Sequence, residues 1–502
     1  MPCTTILVGK SASHDGSTIV ARNEDAPGGQ FTPKRFVVVR PDEQPRHYRG
    51  VISHVEVELP DDPMRYTALP NALPDEGVWA EAGVNEANVS MSATETLTTN
   101  ERVLAADPLV ALVPAQGAPG EPGYVPEVPG GIGEEDMVTL ILPYVRSARE
   151  GVLRLGGLLE RYGTYEMNGI AFSDVDEVWW LETVGGHHWI ARRLPDDCYA
   201  TIPNQLGLDS FDLADAFGAQ RDHLCSPDLR AFIAQAHLDL ARPGDALNPR
   251  DAFGSHSDAD HVYNTPRAWD IQHRLNARAW AAGELDDPEA DDIPWCRVPD
   301  RLLTIQDVKD ALSLHYQGTP FDPYERRGDG GDAGTRGAYR PIGINRNCEL
   351  SVVQIRPYAP AQTRALQWVA LGCNVFNALV PFFANVDETP AYLANTGARV
   401  TTDSFYWANR LVAALADPHF GACQPHVERY QQRVPAEAMA VLGRAERALA
   451  EGDADATSAP AALGRANERV AELLRARTDE LLGEVLREAS LRMRNAFSRS
   501  DS

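Results

Sequence analysis

Met1-Pro2-Cys3-Thr4-Thr5-Ile6-Leu7-Val8-Gly9 opens the chain, and Thr18-Ile19-Val20-Ala21-Arg22-Asn23-Glu24-Asp25 follows across the turn cluster Ser13-His14-Asp15-Gly16-Ser17. Two β-branched runs flanking Asp-Gly predict a hairpin. The cysteine stands at its first residue. Loss of Met1 and Pro2 would give Cys3 a free α-amine, with a reference pKa of about 7.7–8.0. Such an amine can take the thiol proton at neutral pH, as an N-terminal amine activates threonine. Position alone leaves a second reading open, a small core cysteine at a strand start.

The rest of the composition bounds the answer. The chain has 502 residues, 43% hydrophobic and 24% charged, as in ordinary globular proteins. With 46 basic and 72 acidic residues the net charge is -26. That field repels phosphate backbones and anionic lipid, so neither nucleic acid nor a membrane surface is expected as a partner. The first twenty residues lack a basic start and an unbroken apolar core, so no targeting segment is expected. Seven scattered cysteines without a CxxC pair suit a reducing compartment, and a cytoplasmic location is expected. No cofactor and no metal site is expected. His187-His188 lacks the spaced partners of a zinc site, and neighbours on a strand point to opposite faces.

Further strands are predicted at residues 35–39, 51–58, 77–82 and 88–94. Glycine and proline make 115–135 a loop. Asp136 is the expected cap of a helix over 137–150, with a second over 151–162 interrupted at Gly156-Gly157. Runs at 169–173, 177–182, 188–193 and 198–202 predict an antiparallel meander. Helices follow at 227–237 and 305–314, a loop at 327–337 and a strand at 348–355. From 435 to 497 the chain reads as helices broken near 452–460.

A leading cysteine, a strand–turn–strand and then Arg22-Asn23-Glu24-Asp25 resembles the N-terminal-nucleophile hydrolases of the choloylglycine and penicillin acylase group. Closer still is the resemblance to the bacterial cysteine dipeptidases, which form a branch of that superfamily with the secernins. Gly83-Val84-Asn85-Glu86, Glu134-Glu135-Asp136, Tyr165-Glu166-Met167-Asn168-Gly169, Glu182 to Trp189, Tyr263-Asn264-Thr265-Pro266-Arg267 and Arg340 to Asn347 look like segments of that branch, in family order. The resemblance implies an α+β fold, a four-layer αββα sandwich with the nucleophile at a strand start. With it, 3–430 is expected to be the hydrolase domain with 1–2 removed as a leader, and the helical periodicity near the C-terminus makes 431–502 a helical extension packed on the core.

The same resemblance assigns roles. Cys3 would attack the scissile carbonyl with its α-amine as base. Arg22 would sit by the sulfur and favour its thiolate, and Asp25 would orient the α-ammonium. A surface ion pair is the other reading of these two. Asn204 would help bind the oxyanion or substrate, or make an Asx turn after Pro203. Arg267 matches a later family arginine, with a structural role equally open. Dipeptide substrates need an anion for their ammonium and a cation for their carboxylate. Candidates are Glu134, Glu135 and Asp136, which could instead serve a helix N-terminus, and Arg267 or Arg346. One departure stands out: the acylases carry an oxyanion-hole asparagine where this chain reads Met91-Ser92-Ala93-Thr94-Glu95-Thr96. One such donor is worth about 2.7–4 kcal/mol, so a backbone N–H or the Thr94 hydroxyl is expected to replace it. Two alternatives stay open, an N-acyl amide hydrolase and a secernin-like protein that acts through partners without catalysis. A homo-oligomer built through the C-terminal helices is likewise open.

Overall fold

The opening hairpin forms in register. Cys3–Val8 pairs antiparallel with Thr18–Asp25, from Cys3 opposite Glu24 to Val8 opposite Ile19, and Gly16 turns the chain at φ +78°. The computed structural model describes residues 3–73, 77–324, 334–452 and 459–493, without the Thr94 side chain. The expected leader Met1-Pro2, most of the 327–337 loop and the Thr94 hydroxyl therefore lie outside the described residues.

The hairpin is the centre of a seven-stranded sheet ordered Cys296–Arg297, Tyr199–Ile202, Cys3–Val8, Thr18–Asp25, Asn347–Ile355, Ala365–Leu371, Val380–Phe383. A six-stranded sheet runs His223–Cys225, His188–Arg193, Val178–Val184, Asn168–Ser173, Ser90–Thr96, Ala82–Val84. Side chains alternate between faces. Leu7 and Val20 of the first sheet share one apolar cluster with Ala171 and Trp180 of the second. Ile6, Val8, Ile19 and Ala21 point the other way and pack with Val412, Val434 and Leu463 of the C-terminal helices. On the second sheet, Met91, Ala93 and Phe172 pack with Val138 and Val152 of two helices. The fold is α+β.

Several elements differ from their sequence expectation. Residues 77–81 are not a strand: Trp79 and Glu81 take left-handed φ values of 46° and 56°, and the strand is Ala82–Val84. The expected helix over 137–150 divides at Pro143, whose missing N–H ends Glu134–Ile141 in a tight turn. Ala148–Tyr162 restarts under Ser147, whose side chain accepts from the Glu150 N–H at 3.1 Å. Asp136 is not the cap residue but lies inside the first turn, accepting from Gly133 N at 3.1 Å. Gly156-Gly157 does not interrupt the second helix; Gly156 instead makes room for the Trp189 ring, which a Cβ there would meet at 2.3 Å. The expected four-strand meander loses its last member: Tyr199–Ile202 crosses to the other sheet and pairs with Cys3–Val8.

At the C-terminus, Phe420–Ala450 and Ala459–Ser490 pack on each other and on the first sheet. The Asn467 side chain accepts from Phe383 N and donates to Phe383 O, each at 3.0 Å, and so covers an otherwise unpaired sheet edge. Among the described residues no helix is long and apolar enough to cross a membrane.

Candidate active site

Cys3 and Thr5 point from the first strand toward the second sheet, and Arg22 and Glu24 are their cross-strand partners on that face. Arg22 Nη2 donates to Cys3 Sγ at 2.9 Å and to Glu134 Oε1 at 3.1 Å, while Nη1 donates to Glu81. All four side chains are buried. Burial pushes the Cys3 thiol well up, and the Arg22 guanidinium pulls it back only in part. The expected depression by Arg22 thus exists as a force, but desolvation outweighs it while the sulfur is covered.

Glu81 and Lys34 continue the network. Lys34 Nζ lies 3.4 Å from Glu81 and pairs with Glu24; it also donates to Trp79 O at 3.4 Å, pinning the left-handed turn. Burial would raise Glu81, yet Lys34 and Arg22 together hold it below the usual glutamate value. Glu24 goes the other way, pushed to about 8 by burial and by Glu81.

Asn204 and Arg267 hold the backbone of the cysteine. Cys3 N donates to Asn204 Oδ1 at 3.1 Å, and Asn204 Nδ2 donates to Thr96 O at 3.0 Å. Arg267, in the first turn of Thr265–Leu275, donates to Cys3 O, to Thr4 Oγ1 at 2.8 Å, to Asn204 Oδ1 at 2.8 Å and to Asn264 Oδ1 at 2.7 Å. It is fully buried, and burial followed by Arg340 lowers its pKa to about 10. Asp25, next along from the partner of Cys3, accepts from Arg340 and Asn347. The structure therefore gathers Cys3, Arg22, Asn204 and Arg267 through direct hydrogen bonds, with Asp25 on the adjoining ion pair.

The three acids at 134–136 separate in role. Glu134 contacts Arg22, Glu135 accepts from Tyr165 Oη at 2.7 Å, and Asp136 accepts from Tyr48 Oη. Arg346 is partly buried and donates to Ala26 O at 3.2 Å and Tyr263 Oη at 3.4 Å. His187 and His188 do not diverge as a strand pair would. His187 lies in the turn before the strand, and both rings converge on Asp107, at 3.1 and 2.7 Å. Glu81, Lys34, Glu95, Arg340 and Asn347 carry no role in the sequence reading. Arg340 and Asn347 lay in a family-like segment, whereas Glu81 was hidden in a run read as strand. A cavity of about 1140 Å³ opens elsewhere, lined by Lys309, His315, Tyr324, Phe420 and Gln431 among others, and no residue of the Cys3 cluster lines it.

Cys3 is thus a buried thiol under a guanidinium, its backbone held at both nitrogen and carbonyl oxygen, in a chain that is a cysteine-type hydrolase by family. The chain belongs to peptidase family C69, whose family model matches residues 2–433. It is 56% identical to a dipeptidase of Bifidobacterium longum, with all of both chains covered. It is 51% identical to a probable dipeptidase A of Streptococcus pyogenes over 99% of this chain and 98% of that one. Dipeptidase A of Lactobacillus helveticus is 41% identical over 97% of this chain and 96% of its own.

Proposed function

We propose that this protein hydrolyses dipeptides through a thioester on Cys3, after loss of Met1 and Pro2 exposes the cysteine's α-amine. The observation that carries this reading is the pair of contacts at Cys3: Arg22 Nη2 at 2.9 Å from the sulfur and Asn204 at 3.1 Å from the nitrogen. The α-amine takes the thiol proton as sulfur attacks the scissile carbonyl, and it returns that proton to the leaving amine as the C–N bond breaks. Water then attacks the thioester, giving a proton to the same amine; the C–S bond breaks, that proton returns to the sulfur, and the acid leaves with thiol and amine restored. Arg22 stabilises the thiolate, Asp25 holds the surrounding charge with Arg340, and Asn204 and Arg267 fix the nucleophile. Arg346 receives the substrate carboxylate, since the donors of Arg267 are spent on protein oxygens; the acids at 134–136 receive its ammonium. Two facing sheets between helical flanks support the four-layer αββα reading. The hydrolase domain runs over 3–430 and ends within the helix Phe420–Ala450, the described helical residues beyond it pack on the core as an extension, and the protein works in the cytoplasm.

The test is turnover of Ala-Ala and Leu-Leu beside a panel of N-acyl amides. The wild type is expected to cleave the dipeptides in EDTA and to lose activity on alkylation, and Cys3→Ala to be inactive. Full turnover by Cys3→Ala, or preference for the acyl amides, would contradict the assignment.

A further inference from the structure

The strand Ser90–Thr96 reaches Cys3 without the asparagine of the acylase pattern, and what it brings there is Glu95. One contact locates this side chain, and a second ties its strand to the cysteine. Thr5 Oγ1 donates to Glu95 Oε2 at 2.7 Å, and Thr5 lies two residues from Cys3 on the same strand face. The next residue, Thr96, accepts through its carbonyl from the Asn204 amide that also holds Cys3 N. The carboxyl group thus enters the sulfur's side of the hairpin from the opposing sheet.

A β-bulge makes this possible. Glu95 pairs with Gly169 and Ala93 with Ile170, so Thr94 is an extra residue in the ladder. In a regular strand Ala93 and Glu95 would share a face. Here Ala93 packs outward against the helices while Glu95 turns inward to Thr5, the re-aiming that bulges produce.

Glu95 is fully buried, and its Oε1 has no hydrogen-bond partner among the described residues. Cys3, Arg22 and Asp25 of the hairpin and Arg267 of the neighbouring helix act on it, and Glu182 lies across Gly169 in register. Burial outweighs the pull of Arg22 and Arg267 and pushes Glu95 up to about 8. At neutral pH this favours the carboxylic acid, with Oε2 accepting from Thr5 and a hydroxyl on Oε1 that meets no acceptor among the described residues.

We propose that Glu95 is a further catalytic residue, whose Oε1 hydroxyl donates a hydrogen bond to the substrate carbonyl oxygen as that oxygen becomes anionic. No bond to this proton breaks; the acid acts as a fixed dipole, the use made elsewhere of a buried neutral carboxyl. The inference rests on Cys3 being the nucleophile. Glutamine is the isostere of the neutral acid, so Glu95→Gln keeps a donor and an acceptor in place. Glu95→Ala is expected to lose about 10²–10³-fold in kcat, and Glu95→Gln to recover all but about tenfold of it. Wild-type kcat should fall as pH rises through about 8, where Glu95 loses its proton, and that fall should vanish in Glu95→Gln. A Gln variant as impaired as the Ala variant, or an unchanged alkaline fall, would overturn the proposal. Alkylation of Cys3 in each variant keeps the two questions apart: a Gln variant that labels normally but does not turn over counts against Glu95 alone, whereas turnover by Cys3→Ala removes the nucleophile.

Discussion

At Cys3 two effects oppose each other, and their balance decides reactivity. Burial disfavours the thiolate, and Arg22 at 2.9 Å favours it. A guanidinium can serve three partners at once because its donors form a planar fork. Arg22 uses it on Cys3, Glu134 and Glu81. Lysine is a single point charge and cannot hold all three. In Arg22→Lys the thiol is therefore expected to titrate higher, and iodoacetamide should react about tenfold more slowly at neutral pH. Apparent melting temperature should also drop, because a buried acceptor left without its donor costs about 1–3 kcal/mol. An alkylation-versus-pH midpoint that does not move would contradict this role. Cys3, Arg22 and Asp25 were legible in sequence because they occupy one hairpin. Their partners were not: Asp25 meets Arg340 and Asn347, more than three hundred positions away. Glu81 escaped because a left-handed turn, stabilised by Lys34, replaced the strand its apolar neighbours suggested.

Among the elements, the helix Ala148–Tyr162 shows how tertiary packing overrides local propensity. Its two adjacent glycines look alike in sequence, and each lowers helix propensity by about 1 kcal/mol relative to alanine. Their surroundings differ. A Cβ at Gly156 would lie 2.3 Å from the Trp189 ring, whereas among the described residues nothing lies within 4 Å of one at Gly157. Gly157→Ala should therefore stabilise by about 0.4–1 kcal/mol, and Gly156→Ala should destabilise by about 1–3 kcal/mol. Denaturant unfolding checks both, and equal shifts of the same sign would refute the packing argument. Periodicity located these helices and most strands of the second sheet. It could not show Pro143 dividing one predicted helix into two, nor the bulge at Thr94 that turns Glu95 inward.

For the whole molecule, the sheet pairing explains where sequence reading reached its limit. Tyr199–Ile202 looks like the next strand of a meander, and only its pairing with Cys3–Val8 reveals a change of sheet. That crossing also brings Asn204, two residues beyond the strand, to the Cys3 nitrogen. The family resemblance implied two facing sheets and a site role for Asn204; neither it nor strand-by-strand reading reached the change of sheet. The strong negative charge agrees with a small-molecule substrate rather than a polyanion. The proposed chemistry depends on one unblocked nitrogen at the end of a central strand of the first sheet. N-terminal sequencing of the active enzyme, with intact mass, tests that dependence most directly. The working chain is expected to begin at Cys3; full dipeptide turnover by protein that still carries Pro2 would contradict it.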